Sequence, residues 1–399
     1  MFYSSFKNTL IILVLTSFFC SACKSQAQEQ KITLGIERTA NYLPLLEGKK
    51  VGVVGNQTSV IINNNEEQHL VDLLLANEIE VIRAFAPEHG FRGTADAGEQ
   101  VEDGKDAKTG IPVVSLYGTH KKPTSEQMKD LDFVVFDIQD VGARFYTYIS
   151  TLHYVMEACA EHQIPVLVLD RPNPNGHYID GPLLELTHKS FVGMHPIPVV
   201  HGLTIAEYAR MINGEAWLNN EIKADLFVIP MENYHKNRAY DLPIPPSPNL
   251  PNAQSINLYP SLCFFEGTSV NAGRGTDLQF QVFGSPYLNP EIFNYTYTPV
   301  SKPGAKFPKF ENELCYGENL SEHPKLNSLN LEWLILAYNE NHQHEEFFNS
   351  FFTKLAGTKK LQQKIEAGFS ADEIRADWQD GLTTYQKMIQ PYLLYETFE

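Results

Sequence analysis

The segment Phe85-Ala-Pro-Glu-His-Gly-Phe-Arg-Gly93 places an acid, an imidazole and a guanidinium directly after the apolar run Glu80 to Phe85. Glu88 lies there between Pro87 and His89, with Phe85 and Phe91 close by in sequence. Partial desolvation in such surroundings favours the protonated form of a carboxyl and equips it to donate a proton; the competing role is a salt bridge with Arg92. Hydrolysis of a glycosidic bond needs an acid of this kind and a second group acting as base or nucleophile. Asp137, Asp140 and Asp170, which end or follow other apolar runs, and Glu266 further along are candidates for that second role. An Asp that ends a strand also commonly caps the next turn. Arg144, Arg171 and Arg274 could hold a carboxylate-bearing ligand through charge-assisted bonds, or pair with the same aspartates. Tyr146 offers a ring for sugar stacking or for ordinary packing. His89, Arg92, Asn173, Asn175, His201 and Asp277 complete the candidate binding set. His89, His195 and His201 show no ligand-like short spacing on one element, so hydrogen bonding is the expected role of these histidines.

Buried parallel strands deliver side chains to a common crevice at their C-terminal ends. Val51 to Gly55, Glu80 to Phe85, Ile111 to Tyr117, Asp132 to Asp137, Pro165 to Asp170 and Asp225 to Pro230 read as six strands. Leu70, Leu73 and Leu74 mark a helix over Glu66 to Glu78, and an apolar stripe from Phe145 to Cys159 marks another over Phe145 to Glu161. Thr124 and Thr204 open capping boxes with Gln127 and Glu207. Strand and helix alternate as in a parallel sheet covered on both faces. Five prolines between Leu242 and Pro251 interrupt this pattern, and such a run can continue neither a helix nor a central strand. Beyond it, Ser255 to Phe265 and Leu278 to Phe283 read as strands flanking a Gly-rich loop. The last third reads as helical, with a helix from the Ser370 cap through Ile389. The expected organisation is α/β: a segment 1–27 apart from the fold, an N-terminal domain over 31–241 and a smaller α+β domain over 242–399. The long loop through Thr94 to Glu99 is expected to be functional.

The chain has 399 residues and a net charge of -17, which argues against nucleic acid or an anionic membrane surface as main partner. An anionic substrate would have to meet a local positive patch. Lys7 precedes the apolar stretch Leu10 to Phe19, too short to span a bilayer and suited to a signal peptide. Cys20-Ser-Ala-Cys23 resembles a bacterial lipobox whose first position carries Cys20 where Leu is usual, with Cys23 as the lipidated residue; cleavage after Ala27 is the alternative. The protein is expected to be exported, periplasmic or anchored as a lipoprotein, with membrane contact only through that anchor. Cys159, Cys263 and Cys315 define no disulfide framework. Nucleotide, P-loop, zincin and serine-hydrolase signatures are missing from the sequence, and neither a metal nor an organic cofactor is expected.

The blocks APEHGFRGTADAGE (86–99), DIQDVGARFYTYISTLHYVME (137–157), DRPNPNG (170–176), GPLLE (181–185), FVGMHPIPVVHGLTIAEYARMINGE (191–215), PPSPNLP (245–251) and FEGTSVNAGRGTD (265–277) resemble those of the NamZ-type exo-β-N-acetylmuramidases. The resemblance extends from about Gly35 to about Tyr395. It implies a glycoside hydrolase that releases N-acetylmuramic acid from the non-reducing end of peptidoglycan fragments. It also implies a Rossmann-like N-terminal domain, a smaller C-terminal domain and an active site in the cleft between them, with Glu88 as the catalytic glutamate. Muramic acid carries a lactyl carboxylate, which would give Arg144, Arg171 or Arg274 something to bind. Two other functions suit the same residues: an exported muramyl-saccharide binding protein without turnover, and a metal-dependent hydrolase of phosphate or amide bonds.

Overall fold

The computed structural model describes residues 30–64, 66–92, 103–342 and 346–396. Cys23, the segment 1–27 and the loop Thr94 to Glu99 lie outside the described residues. The main sheet contains β1 (Lys50–Gly55), β4 (Glu80–Ala86), β5 (Gly104–Lys105), β6 (Pro112–Ser115), β7 (Phe133–Asp137), β8 (Val166–Leu169) and β9 (Leu226–Ile229), in the order β5-β6-β4-β1-β7-β8-β9. All neighbours are parallel except the short edge strand β5. β2 (Val60–Asn63) and β3 (Glu66–His69) form a hairpin. β10 (Val282–Ser285), β11 (Tyr295–Tyr297) and β12 (Cys315–Asn319) form a small antiparallel sheet. The helices are α1 (Thr39–Leu46), α2 (Leu70–Ala76), α3 (Ser125–Met128), α4 (Tyr148–His162), α5 (Ile205–Gly214), α6 (Ala253–Leu262), α7 (Glu332–Asn339), α8 (Phe352–Ala356), α9 (Lys360–Glu366), α10 (Ala371–Ala376) and α11 (Gln379–Ile389). Among the described residues no helix is long and apolar enough to cross a membrane.

The central strands are apolar throughout because both faces are covered. Phe133 and Val135 of β7 join one core with α1 and α2, while Val134 and Phe136 join the other with α4 and α5. That second core runs on without interruption through α6 and α7 to α11. The described residues from Ile32 onward accordingly form one compact unit.

Local structure departs from the sequence reading at four places. Ser255 to Phe265 is not a strand but α6 and the 3-10 turn after it. Asn252 caps α6, its side chain accepting from Ser255 N at 2.8 Å. Pro260 lies inside this helix and cannot donate to the carbonyl four residues back. That carbonyl, Ile256 O, instead accepts from Asn175 Nδ2 at 2.9 Å. Glu66 to His69 is the strand β3 and the helix begins only at Leu70, where the His69 ring caps it. The preceding Asn64 has φ 51°, a left-handed turn residue that favours a hairpin. The expected strand Leu278 to Phe283 starts only at Val282, after a turn in which Phe280 has φ 51°. The helix expected to run from Ser370 to Ile389 divides at Asp377 and Trp378 into α10 and α11.

Asn175 is fully buried and its amide also donates to Val141 O at 2.9 Å. Asn175→Ala would strip a donor from two buried carbonyls at about 1–3 kcal/mol each, so it is expected to destabilise the protein by about 2–6 kcal/mol. The check is a lower urea midpoint at unaltered m-value; a change below about 1 kcal/mol would show that Ile256 O is satisfied without Asn175.

Candidate active site

Three strand ends and the proline-rich segment surround one cavity of about 980 Å3. At the end of β4, Gly90 N bonds back to Pro87 O at 3.1 Å, and His89 and Gly90 have φ of 72° and 83°. This tight left-handed turn buries His89 and leaves Glu88 half-buried at the cavity wall. Thr147, at the N-cap position of α4, makes no side-chain cap bond. Its hydroxyl donates instead to Glu88 Oε2 at 2.8 Å. Tyr117, just past β6, hydrogen-bonds the same carboxyl. Burial pushes the Tyr117 hydroxyl pKa up, as do the Glu88 charge and that bond, with Arg274 opposing. Tyr117 therefore stays a neutral donor to Glu88.

The facing wall comes from the turn after α6 and the loop beyond it. Arg274 Nε donates to Glu266 Oε1 at 2.9 Å, and its guanidinium lies 5.2 Å from the Phe280 ring centroid. Lys309 Nζ donates to the carbonyls of Phe265 and Thr268, both at 2.7 Å, and so ties down the loop that carries Glu266. Desolvation opposes ionisation of Glu266, but the Arg274 and Lys309 charges outweigh it and hold the carboxyl below its ordinary pKa. The two carboxyls thus have different settings: Glu88 among hydroxyl donors, Glu266 between cations. Ser247, Asn249 and Leu250 close a third side. Their segment is held by Gln57 Nε2, 3.1 Å from both Pro245 O and Pro246 O, and by Tyr148 Oη, 3.2 Å from Pro246 O.

Of the residues singled out in the sequence, Glu88, His89, Tyr146, Glu266 and Arg274 line the cavity. Tyr146 is buried with its ring edge-on to Tyr148 at 4.8 Å and to Tyr259 at 5.9 Å. The others have partners elsewhere. Asp137 and Arg171 form a buried bidentate pair at 2.5 and 2.9 Å. Asp140 accepts from Gly142 N and faces His201 at 3.6 Å. Asp170 accepts from Thr204, Ala206 N and Tyr395, and burial, with those bonds opposing, pushes its pKa up to about 7. Arg92 is bound bidentately by Asp106 at 2.7 and 2.8 Å. Arg144 donates to the carbonyls of Pro182, Ile197, Leu355 and Ala356 at 2.7–2.9 Å, and burial pushes its pKa down to about 9. Asn173 donates to Leu203 O at 2.9 Å, Asn175 bridges as described, and Asp277 pairs with Lys302 at the surface. Sequence reasoning missed Thr147, Tyr117, Lys121 and the aromatic residues Phe191 and Tyr259. Thr147 and Tyr117 follow apolar runs as Glu88 does, but carry no charge to mark them. Among the described residues no three His, Cys, Asp or Glu side chains group as a metal site.

Comparison with known proteins places this geometry in a family context. Residues 51–254 match the family described as "Exo-beta-N-acetylmuramidase NamZ, N-terminal", and residues 257–395 match "Exo-beta-N-acetylmuramidase NamZ, C-terminal". The chain is 38% identical over 390 residues to the peptidoglycan beta-N-acetylmuramidase NamZ of Bacillus subtilis, covering 92% of each. It is also similar to crystal structures of two DUF1343 family proteins from Bacteroides fragilis. One has a TM-score of 0.84 at 45% identity, covering 92% of this chain and 100% of that one. The other has a TM-score of 0.77 at 28% identity, covering 92% and 99%.

The setting of Glu266 can be measured directly. Its carboxyl is expected to titrate below the ordinary value of 4.5, and Arg274→Met to move the midpoint upward. Because the folded pKa is the lower one, Glu266 contributes stability above the unfolded pKa that is lost as pH falls through the folded value. Carboxyl NMR titration of the two proteins is the check; coincident midpoints would remove Arg274 as the cause.

Proposed function

The chain belongs to the NamZ exo-β-N-acetylmuramidase family, and on that premise we propose that it is a glycoside hydrolase that cleaves the β-glycosidic bond of N-acetylmuramic acid in peptidoglycan. The finer reading is exo-action: release of N-acetylmuramic acid from the non-reducing end of peptidoglycan fragments, in the service of cell-wall turnover and recycling. The observation that supports the hydrolase reading is the pair of carboxyls on the walls of one cavity, Glu88 under two hydroxyl donors and Glu266 held ionised by Arg274. Small-ligand sites have roughly 300–1,000 Å3, so a cavity of about 980 Å3 has room for a saccharide.

In this reading Glu88 is the general acid. Its proton passes to the glycosidic oxygen as the bond to the anomeric carbon breaks, so that the leaving sugar departs as an alcohol rather than an alkoxide. Thr147 and Tyr117 fix the carboxyl's orientation, and a fixed donor gains rate because no rearrangement is needed at the moment of transfer. Glu266 supplies the negative charge that an oxocarbenium-like transition state attracts; water provides the oxygen that the anomeric carbon finally gains, and a carboxylate of the pair takes up the proton that water loses. Substrate of this kind lies outside the cytoplasm, which agrees with the signal-type composition of the first 27 residues; we propose export, with Cys23 as the anchor if the lipobox is used.

A disaccharide of N-acetylmuramic acid β-linked to N-acetylglucosamine is expected to be split into its two sugars, at the same rate with and without chelator. Glu88→Gln is expected to lower turnover by about 10²–10⁴-fold, the usual weight of general acid catalysis, with an unaltered circular dichroism spectrum. Retained turnover in a folded variant would take the acid role away from Glu88. Binding of the disaccharide without release would instead favour a binding protein.

A further inference from the structure

The sequence directs attention to arginines as the partners of an anionic substrate group, yet the structure commits all three. Arg144 is buried under four carbonyls, Arg171 is paired with Asp137, and Arg274 is paired with Glu266. The cavity walls carry two further cations, Lys121 and Lys306. Lys306 already has a partner. Lys122, next in the chain, is bound by Glu157 and Glu161 at 2.7 Å each. Lys121 differs from all of these: among the described residues no carboxylate pairs with it, and its Nζ lies 4.6 Å from the centroid of the Phe191 ring, a second residue of the same wall.

We propose that Lys121 is the specificity-determining residue that recognises an anionic substituent on the sugar, namely the free lactyl carboxylate of N-acetylmuramic acid. The inference rests on the muramidase reading above and deepens it. Three observations carry it. Lys121 and Phe191 form part of the cavity that holds Glu88 and Glu266. Lys121 is four positions after Tyr117, the residue bonded to Glu88, so the two Cα atoms lie within about 14 Å of each other, and both side chains line the same cavity. Among the described residues the lining also carries three cations, Lys121, Arg274 and Lys306, against two carboxylates, Glu88 and Glu266, in a chain whose net charge is -17. Such a local reversal of sign attracts an anion that the rest of the surface repels.

The chemistry suits a cationic side chain at this position. A compact ammonium on a flexible stem meets a carboxylate as a point charge, and the Phe191 ring holds the ammonium by a cation–π contact until the carboxylate arrives. A sugar that lacks the lactyl ether, such as N-acetylglucosamine, has nothing for Lys121 to bind.

The test uses two readouts on the full chain. Calorimetry with free N-acetylmuramic acid and with N-acetylglucosamine measures recognition without turnover. The ratio of kcat/KM for a chromogenic β-N-acetylmuraminide to that for the matching β-N-acetylglucosaminide measures it in catalysis. Lys121→Met is expected to weaken the acid's binding and to lower the ratio by about ten- to a hundredfold, the size of one lost charge-assisted hydrogen bond. Lys121→Arg is expected to restore most of both. An unaltered ratio and an unaltered preference for the acid in Lys121→Met would overturn the inference while leaving the muramidase reading intact. A wild-type protein that binds the acid but cleaves neither glycoside would instead overturn the muramidase reading, and loss of that binding in Lys121→Met would still assign the anion site to Lys121.

Discussion

The guanidinium of Arg144 is the point on which the rest of the cavity depends. It has no carboxylate partner and is fully buried, where an uncompensated charge is strongly disfavoured. Four carbonyls supply the compensation, and they come from three stretches of chain: Pro182, Ile197, and the end of α8 at Leu355 and Ala356. Because a buried cation must keep its acceptors, the α8 end and the β7–α4 connection cannot separate. Leu355 is itself a wall residue of the cavity, and the wall residues Phe145, Tyr146 and Thr147 follow Arg144 directly. The clamp therefore fixes the distance between the hydroxyl that holds Glu88 and the helix on the far side.

A second constraint acts on the proline-rich segment. Its residues Ser247, Asn249 and Leu250 form the cavity's third side, yet prolines leave it poor in donors for pairing with a sheet. The donors come from the other side: Gln57 in the loop after β1 and Tyr148 at the start of α4 bond the carbonyls of Pro245 and Pro246. Tyr148 Oη also receives Asn56 Nδ2 at 3.0 Å. The first turn of α4 thus orients two walls at once, through Thr147 toward Glu88 and through Tyr148 toward the prolines. Burial first and the Glu88 charge second push the Tyr148 hydroxyl pKa up, with the Asn56 bond opposing; it stays a neutral donor.

The two carboxyls have different neighbours, and neither lies deep in the core. Glu266 has Arg274 and Lys309 beside it, while Glu88 has hydroxyls. The remaining acids and arginines of the strand ends serve the frame: Asp137 with Arg171 beneath the sheet ends, and Asp170 receiving Thr204 at the start of α5 and Tyr395 near the end of the described chain.

Much of this was legible in the sequence, for local reasons. Apolar runs of strand length fixed the central sheet strands, and the capping boxes at Thr124, Thr204 and Ser370 are all present. Placing Glu88 after β4 followed from the rule that parallel strands open at their C-terminal ends, and the motif blocks were specific enough to indicate the family. Tertiary structure decided the rest. A Pro260 that forbids a helix by local rules is tolerated because Asn175 takes up the orphaned carbonyl of Ile256, 81 positions from it in sequence. Which charges face the cavity was equally invisible: Thr147 meets Glu88 across 59 positions and Arg144 meets Ala356 across 212. Propensity and periodicity act over a few residues, whereas a buried charge takes whichever partner the packing of distant elements brings within bonding distance.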